Sequence, residues 1–219
     1  MANLNINLQD EYDRPIVFSD SSGIMAVMKT DLESIHENLL TRSAEKGRPA
    51  ILAIDGRCGA GKSTLGAELA SKWSANLFHM DDFYLQPHQR TPERLAEPGG
   101  NVDRERFLEE VLLPLRTGKP VIYRRFDCGS FTFEEGQIVS PKPVAIVEGS
   151  YACHPLLRNY YDLRIFLDID PQTQAERILK RNGPEVLERF KSIWIPLEET
   201  YFGECRVREC CDFILNLSL

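Results

Sequence analysis

Short apolar runs recur along the chain, and segments with helical spacing separate them. The runs lie at 51–54, 76–80, 144–148, 163–169 and 212–217. Apolar residues three or four positions apart predict helices at 24–46, 63–73, 104–115 and 172–181. Because strands that alternate with helices build parallel sheets, we predict an α/β fold in which a parallel sheet carries helices on both faces.

Two polar stretches interrupt this alternation, at 86–101 and 124–143. In the second, the letters FTF and IV flank EEGQ, and this pattern predicts a small β-hairpin that projects from the sheet. Long irregular loops in a compact domain usually serve function or motion. We therefore expect both stretches to lie on the substrate side of the molecule.

The composition is that of an ordinary globular protein, with 42% hydrophobic and 27% charged residues among 219. This length fits a single domain over 1–219, in which residues 1–46 form an N-terminal helical extension. A net charge of −7 argues against a dedicated nucleic-acid-binding protein, which normally has a basic face.

The chain shows neither an apolar run near the roughly 18 residues of a membrane span nor an N-terminal secretion signal. We therefore expect a cytoplasmic protein without a membrane partner, whose six cysteines are reduced thiols. Cys205, Cys210 and Cys211 are close enough in sequence to be considered as metal ligands. Neither a CxxC pair nor a nearby histidine supports that alternative.

A glycine-rich segment between the first apolar run and the next helix has the spacing of a phosphate-binding loop. Gly56, Gly61, Lys62 and Ser63 satisfy GxxxxGKS between a strand and a helix, as the motif requires. Backbone N–H groups and the helix N-terminus can bind phosphate, Lys62 can neutralise its charge, and the Ser63 hydroxyl can reach Mg²⁺. The alternative, a turn that binds nothing, conflicts with this context. The candidate nucleotide-binding residues are Gly56, Arg57, Cys58, Gly59, Ala60, Gly61, Lys62, Ser63 and Thr64.

Acidic residues follow two apolar runs that should end beside this loop. Asp81 and Asp82 follow the run at 76–80, and Glu148 ends another. Since the carboxyl ends of parallel strands meet at the ligand crevice, Asp81 is the candidate base for an attacking hydroxyl, with Asp82 in reserve. The candidate magnesium ligands are Ser63, Asp81 and Glu148. A solvated acidic turn and a strand-end acid are the simpler alternatives.

The segments GRCGAGKST, MDDFY, NVDRERF and IVEGSY, in this order, resemble the uridine kinase and phosphoribulokinase group of P-loop small-molecule kinases over 51–202. The resemblance implies a three-layer P-loop NTPase fold that uses ATP and Mg²⁺ and acts on a small molecule. It implies Asp81 as the catalytic base, Asp103 as a ligand of ribose hydroxyls and Glu148 on the magnesium side. Members are often oligomers, so a homo-oligomer is open.

The same group carries a lid with arginines over the triphosphate, which corresponds here to 177–191. Arg177 and Arg181 are four positions apart and therefore share one helical face; a solvated face is the alternative. Tyr84, Arg125 and Phe126 are further candidate substrate-binding residues. Arg124 and Arg125 could also receive an anionic acceptor, or be exposed strand-edge residues.

These features predict a kinase that transfers the γ-phosphoryl group of ATP to a hydroxyl of a small metabolite, most nearly a nucleoside. In uridine-cytidine kinases a histidine in the hairpin contacts the base, whereas this chain reads RRFDCGSFTF. Another alcohol, such as pantothenate, glycerate or a pentose phosphate, therefore stays open as the acceptor. A nucleotide-switch ATPase is the alternative of another class, and the missing NKxD and LSGGQ segments argue against it.

Overall fold

The computed structural model describes residues 24–216, with side chains from residue 32 onward. Residues 1–23 of the expected extension and residue 217 of the last apolar run lie outside the described residues. The helix predicted at 24–46 is confirmed as α1 (Ile24–Lys46), which packs Ile35 and Leu39 against the sheet. In the described part of the chain, no helix combines the length and apolar character needed to cross a membrane.

Each of the five apolar runs forms one strand of a parallel sheet. In chain order the strands are β1 (Ala50–Gly56), β2 (Asn76–His79), β3 (Val121–Tyr123), β4 (Phe126–Asp127), β5 (Thr132–Phe133), β6 (Gln137–Val139), β7 (Val144–Glu148), β8 (Leu163–Asp168) and β9 (Phe213–Asn216). The sheet has the order β2-β7-β1-β8-β9, and every ladder in it is parallel. After α1, the helices are α2 (Lys62–Lys72), α3 (Pro92–Ala96), α4 (Arg104–Phe107), α5 (Leu113–Arg116), α6 (Pro171–Asn182), α7 (Pro184–Arg189), α8 (Ile195–Glu204) and α9 (Val207–Cys210).

β1 lies at the centre of the sheet and is buried along its whole length. Its alternate residues pack on opposite faces. Ile51 and Ala53 belong to a core that includes residues of α4, α5 and α8, whereas Leu52 and Ile54 pack with α1 and α2. Burial on both faces explains the near-continuous apolar run. The molecule therefore has the three layers of the predicted P-loop NTPase fold.

Two helices each contain one wider, π-helical turn shortly before a proline. A π-helical turn at Leu108–Leu112 precedes Pro114, and another at Phe190–Trp194 precedes Pro196. A proline has no N–H to donate, and its ring crowds the carbonyl group four residues earlier. The wider turn gives that ring room without ending the helix. The predicted helix at 104–115 therefore continues through α4, the π turn and α5.

The stretch 124–143 does not form the hairpin that its sequence pattern predicts. β4 pairs antiparallel with β5, and β6 pairs antiparallel with β3, so the expected pairing of FTF with IV is wrong. The cause is an earlier turn, in which the Asp127 carboxylate accepts hydrogen bonds from Gly129 N (2.8 Å) and Ser130 Oγ (2.7 Å). This side-chain-closed turn reverses the chain before EEGQ is reached.

Candidate active site

The carboxyl ends of three neighbouring strands meet at one edge of the sheet. β1 leads into the loop at 57–61, β2 leads into Asp81, and β7 ends at Glu148. The strand registers pair Glu148 with Ile54 on one side and with His79 on the other. In open α/β sheets, ligands bind in the crevice at this edge. The fold therefore brings the nucleotide, base and metal candidates together.

The loop between β1 and α2 has the backbone that phosphate binding requires. Gly56 has a φ of +135°, and a Cβ atom there would collide with the backbone of Leu167, so only glycine fits. Gly61 enters α2 from the left-handed conformation, with a φ of +98°. Ser63 and Thr64 lie in the first turn of α2, where backbone N–H groups have no partner within the helix and attract an anion.

Lys62 folds back over its own loop. Its Nζ donates to the carbonyl oxygens of Gly56 (2.7 Å) and Arg57 (3.1 Å), and the residue is only 9% exposed. One position later, Ser63 Oγ donates a 3.0 Å hydrogen bond to Glu148 Oε2. The lysine and the hydroxyl of the motif thus lie on the loop and at the strand end where the sequence predicts them.

Side chains from α6 and α8 brace the other residues of the loop. The buried Cys58 donates its N–H to Glu198 Oε2 (2.9 Å), and its carbonyl oxygen accepts from Gln174 Nε2 (3.0 Å). Arg57 pairs with Asp168 (2.8 Å) and with Glu199. Gly59 and Ala60 complete the loop, and both are buried. Sequence reasoning missed the two bracing residues because they are more than 100 positions away.

Asp81 lies in a single 3₁₀ turn, Met80–Phe83, directly after β2. Burial first, and then the negative charge of Glu148, raise the pKa of Asp81 to about 7, although Lys62 acts in the opposite direction. The Tyr84 hydroxyl donates to Asp81 Oδ1 at 3.4 Å. A carboxyl group that titrates near neutral pH can both accept and release a proton under ordinary conditions.

Asp82, the reserve candidate, anchors the segment around β3 and β4 instead. Its carboxylate accepts a hydrogen bond from the Tyr123 hydroxyl and pairs with Arg125 Nε at 3.2 Å. Arg125 is therefore held by an acid of the protein. The two adjacent aspartates have different surroundings, and the one beside Lys62 and Glu148 is Asp81.

Glu148 is buried at the end of β7 and is held on both sides. Oε2 accepts from Ser63, and Oε1 lies 2.5 Å from His79 Nδ1. Burial, acting to lower the pKa of His79, is outweighed by the hydrogen bond and charge of Glu148 together with the charges of Asp82 and Asp81, so the pKa lies above its ordinary value. His79 was not singled out from the sequence, although its position two residues before Asp81 was a usable signal.

Two of the expected substrate residues have structural partners. Asp103 is the N-cap of α4: its Oδ1 accepts from Arg106 N at 3.1 Å, and its Oδ2 accepts from Gln89 Nε2 at 2.8 Å. Phe126 is 1% exposed and packs in the core, with its ring centroid 5.3 Å from that of Phe133. The substrate contact of Phe126 stays a prediction, and its burial adds a packing role.

The two arginines of the expected lid lie on α6 but have different neighbours. Arg177 Nη1 lies 3.5 Å from the carbonyl oxygens of Gly59 and Ala60, at the phosphate-binding loop. Arg181 Nε donates to Asn182 Oδ1 at 2.6 Å. The segment 177–191 comprises the end of α6, a break at Gly183, α7 and the start of the π turn.

A buried acid that sequence reasoning missed lies beneath the loop. Asp55 Oδ1 accepts from Gly56 N at 2.7 Å, and Oδ2 accepts from Cys153 N at 2.8 Å and the Tyr201 hydroxyl at 2.7 Å. Burial raises the pKa of Asp55 to about 6, against these hydrogen bonds and the charge of Lys62. The acid joins β1, the segment after β7, and α8.

The six cysteines lie within the described part of the chain. All six are free thiols, and Cys211 Sγ lies 3.9 Å from Cys153 Sγ. Among the residues that the structure describes, no three histidine, cysteine, aspartate or glutamate side chains are grouped so that they could hold a metal ion. A site built from Cys205, Cys210 and Cys211 therefore gains no support.

Comparison with known proteins shows which kinases the chain resembles. No protein-family model matches the chain. A uridine kinase of Clostridium tetani is 27% identical over 157 residues, which cover 67% of this chain and 72% of that protein. A solved structure described as a possible uridine kinase, from Bacillus stearothermophilus, superposes with a TM-score of 0.63 at 16% identity, covering 86% of this chain and 98% of that one.

A second solved structure, described as a fructose transport system kinase from a Silicibacter species, superposes with a TM-score of 0.60 at 24% identity, covering 84% of this chain and 98% of that one. The fold is thus shared with kinases that are named for different acceptors. Together with the parallel sheet and the GxxxxGKS loop, these comparisons show that the chain is similar in sequence to uridine kinases and shares the three-layer fold of P-loop kinases.

Proposed function

We propose that this kinase transfers the γ-phosphoryl group of ATP to a hydroxyl group of a small neutral acceptor, most nearly a nucleoside. The observation that carries the proposal is the position of Asp81, directly after β2 and close enough to Lys62 for their charges to interact, with a pKa raised to about 7. A hydroxyl group must lose its proton as it attacks phosphorus. A carboxylate at this place can accept that proton.

The residues around Asp81 bind the phosphates, neutralise their charge and exclude water. The backbone at 57–61 and the N-terminus of α2 bind the phosphates, and Lys62 neutralises their charge. Arg177, whose guanidinium approaches this loop, stabilises the transferring group, and Arg181 serves in the lid one helical turn later. Positioning and charge neutralisation supply most of the catalysis in phosphoryl transfer. Closure of the lid excludes water from the reaction.

The oxygen donors at the strand ends fit a magnesium ion. Ser63 and Glu148 share a 3.0 Å hydrogen bond, and the charge of Glu148 helps to raise the pKa of Asp81. Kinases hold Mg²⁺ through one or two carboxylates together with the substrate phosphates. Ser63, Asp81 and Glu148 are therefore the residues that would hold it, and the ion would supply charge neutralisation to the phosphates.

The charges on the acceptor side favour a neutral acceptor. Arg125 pairs with Asp82 at 3.2 Å, and Arg124 pairs with Glu110 at 2.6 Å. Arginines that are already paired attract an anionic acceptor less strongly than unpaired ones would. Asp103, whose carboxylate has lone pairs beyond the two that the protein uses, and Tyr84 then bind the acceptor hydroxyls.

The test is an ADP-release assay with ATP and Mg²⁺ against uridine, cytidine, other nucleosides, pantothenate, glycerate and pentose phosphates. We expect a nucleoside to stimulate ADP release most strongly. Asp81→Asn should lower kcat by about 10²–10⁴-fold and leave the affinity for ATP measured without Mg²⁺ nearly unchanged, because Asp81 acts on the acceptor and the metal. Asp82→Asn is the matched control. Asp82 anchors the segment around β3 and β4, so the loss of its charge should affect kcat far less.

Each outcome decides one part of the proposal. Stimulation by a different alcohol alone would keep the kinase and replace the acceptor. ADP release that needs no acceptor would support a nucleotide-switch ATPase and overturn the kinase proposal. Full activity of Asp81→Asn would remove Asp81 from the role of base.

A further inference from the structure

His79 and Glu148 are direct neighbours across two strands of the sheet. The register of β2 and β7 pairs the two residues, so their side chains stand side by side on the same face. His79 Nδ1 lies 2.5 Å from Glu148 Oε1. Since Glu148 also accepts a hydrogen bond from Ser63 Oγ, we assign the proton of this pair to Nδ1, which makes the histidine the donor.

Three contacts together fix the Glu148 carboxylate. His79 holds Oε1, Ser63 holds Oε2, and the backbone of α2 lies close to the side-chain stem. At Gly66 of α2, a Cβ atom would come within 3.0 Å of Glu148 Cγ, so the absence of a side chain there lets the helix approach. The carboxylate is buried between these groups and has little freedom to turn.

A side chain at the end of β3 also binds the backbone of His79. His79 N donates to the Tyr123 hydroxyl at 3.1 Å, and the same hydroxyl donates to Asp82. His79 thus links the segment around β3 to the strand end at Glu148. This arrangement resembles the general design of metal sites, in which a group bonded to a ligand sets that ligand's orientation.

We propose that His79 is a positioning residue of the active site, whose hydrogen bond from Nδ1 holds the Glu148 carboxylate in the orientation that receives Mg²⁺. The inference rests on the proposed function, which assigns Glu148 to the magnesium side. His79 touches neither nucleotide nor acceptor in this role. Its effect therefore requires Glu148.

The test measures Mn²⁺ binding to the full chain by electron paramagnetic resonance, in the presence of ADP, so that its readout does not depend on turnover. His79→Asn keeps a donor near the position of Nδ1, whereas His79→Gln keeps the size of the side chain and moves the donor toward the position of Nε2. We expect His79→Gln and His79→Ala to weaken Mn²⁺ binding about tenfold, and His79→Asn to stay within about twofold of the unaltered chain.

Glu148→Gln, alone and combined with His79→Ala, separates the inference from its premise. Glu148→Gln should weaken Mn²⁺ binding, and the added His79→Ala change should then have no further effect. An unchanged affinity in His79→Gln, an equal loss in His79→Asn, or a second loss in the double variant would each overturn the positioning role. If Glu148→Gln itself binds Mn²⁺ normally, the magnesium assignment of the proposed function falls, and the inference falls with it.

Binding of ADP without metal serves as the folding control. It should be the same in all of these variants, because the phosphate-binding loop does not contact His79 in the hydrogen bonds described above. A variant that loses ADP binding has undergone a wider structural change than a turned carboxylate. Loss of ADP binding in both His79→Asn and His79→Gln would contradict the proposal.

Discussion

The hydroxyl group of Tyr201 donates a 2.7 Å hydrogen bond to the carboxylate of Asp55, 146 positions away in the sequence. This bond ties α8 to the strand that carries the phosphate-binding loop. Both residues are fully buried.

Tyr201→Phe removes this bond without opening a large cavity. At pH 8, where Asp55 is ionised, we expect a loss of about 1.5–3 kcal/mol in the free energy of unfolding, since hydrogen bonds to charged groups are the stronger class. Tyr161→Phe is the matched control, because Tyr161 donates to the neutral carbonyl oxygen of Ala152 at 2.9 Å, and should lose about 1 kcal/mol. Urea denaturation measures both; equal losses would contradict the charged character of the Asp55 contact.

Asp81→Asn is expected to stabilise the protein while it abolishes most activity. The pKa of Asp81 is raised from 3.8 to about 7, so the folded chain binds this proton more tightly than the unfolded chain. The unfolding free energy contributed by Asp81 therefore falls as the pH rises from about 4 to about 7, and the cost is complete above that range. Removing the charge should raise Tm by about 2–6 °C at pH 8 and by much less at pH 5.

Calorimetry on metal-free and nucleotide-free protein, with EDTA present, checks this difference. Asp82→Asn should lower Tm at pH 8, since Asp82 bonds to Tyr123 and Arg125. A higher Tm in both variants would show that loss of any nearby negative charge stabilises the protein, and would remove the specific role of the Asp81 pKa.

Glu198→Ala should weaken the attachment of the phosphate-binding loop to α8. The change leaves the buried N–H of Cys58 without its acceptor and also removes the partner of Ser150 Oγ. We expect a stability loss of about 1–3 kcal/mol and a several-fold weaker affinity for ATP. Glu199→Ala, one position later at a side chain that is 46% exposed, should change the unfolding free energy by less than about 0.5 kcal/mol.

Equilibrium dialysis with ATP and urea denaturation together measure this pair. If Glu198→Ala were destabilised but bound ATP with unchanged affinity, the bond to Cys58 would be structural and would not shape the nucleotide site.

Phe126→Leu distinguishes a packing role of Phe126 from the predicted substrate contact. Because the ring is buried against Phe133, we expect a loss of about 1–1.5 kcal/mol in the unfolding free energy and an unchanged KM for the acceptor. Unfolding followed by fluorescence and the acceptor dependence of ADP release provide the two measurements. A raised acceptor KM at unchanged stability would support the predicted substrate contact instead.

The sequence predicts those parts of the fold and site that depend on residues close together in the chain. β1, the loop and α2 form one continuous stretch, in which an apolar run, glycines at fixed spacing and a helical segment each report on neighbouring residues. Asp81 and Glu148 could be predicted as well, because parallel strands necessarily deliver their carboxyl ends to one edge.

The remaining features depend on contacts between distant positions, which a single sequence does not display. Glu198 reaches the backbone of Cys58 across 140 positions, and nothing in the letters around Glu198 marks it as buried. The pairing of β4 with β5 failed to be predicted for a different reason: Asp127 closes a turn through its own side chain, and EEGQ offered an equally good turn pattern.

The position of Lys62 affects how the loop meets a nucleotide. The ammonium group donates to two carbonyl oxygens of the loop that carries it, so a phosphate group that binds there takes over hydrogen bonds that are already formed within the protein. Little side-chain rotamer freedom remains to be lost when the phosphate arrives. The ammonium group is therefore held in place before any ligand binds, and the net affinity for a phosphate reflects an exchange of hydrogen-bond partners.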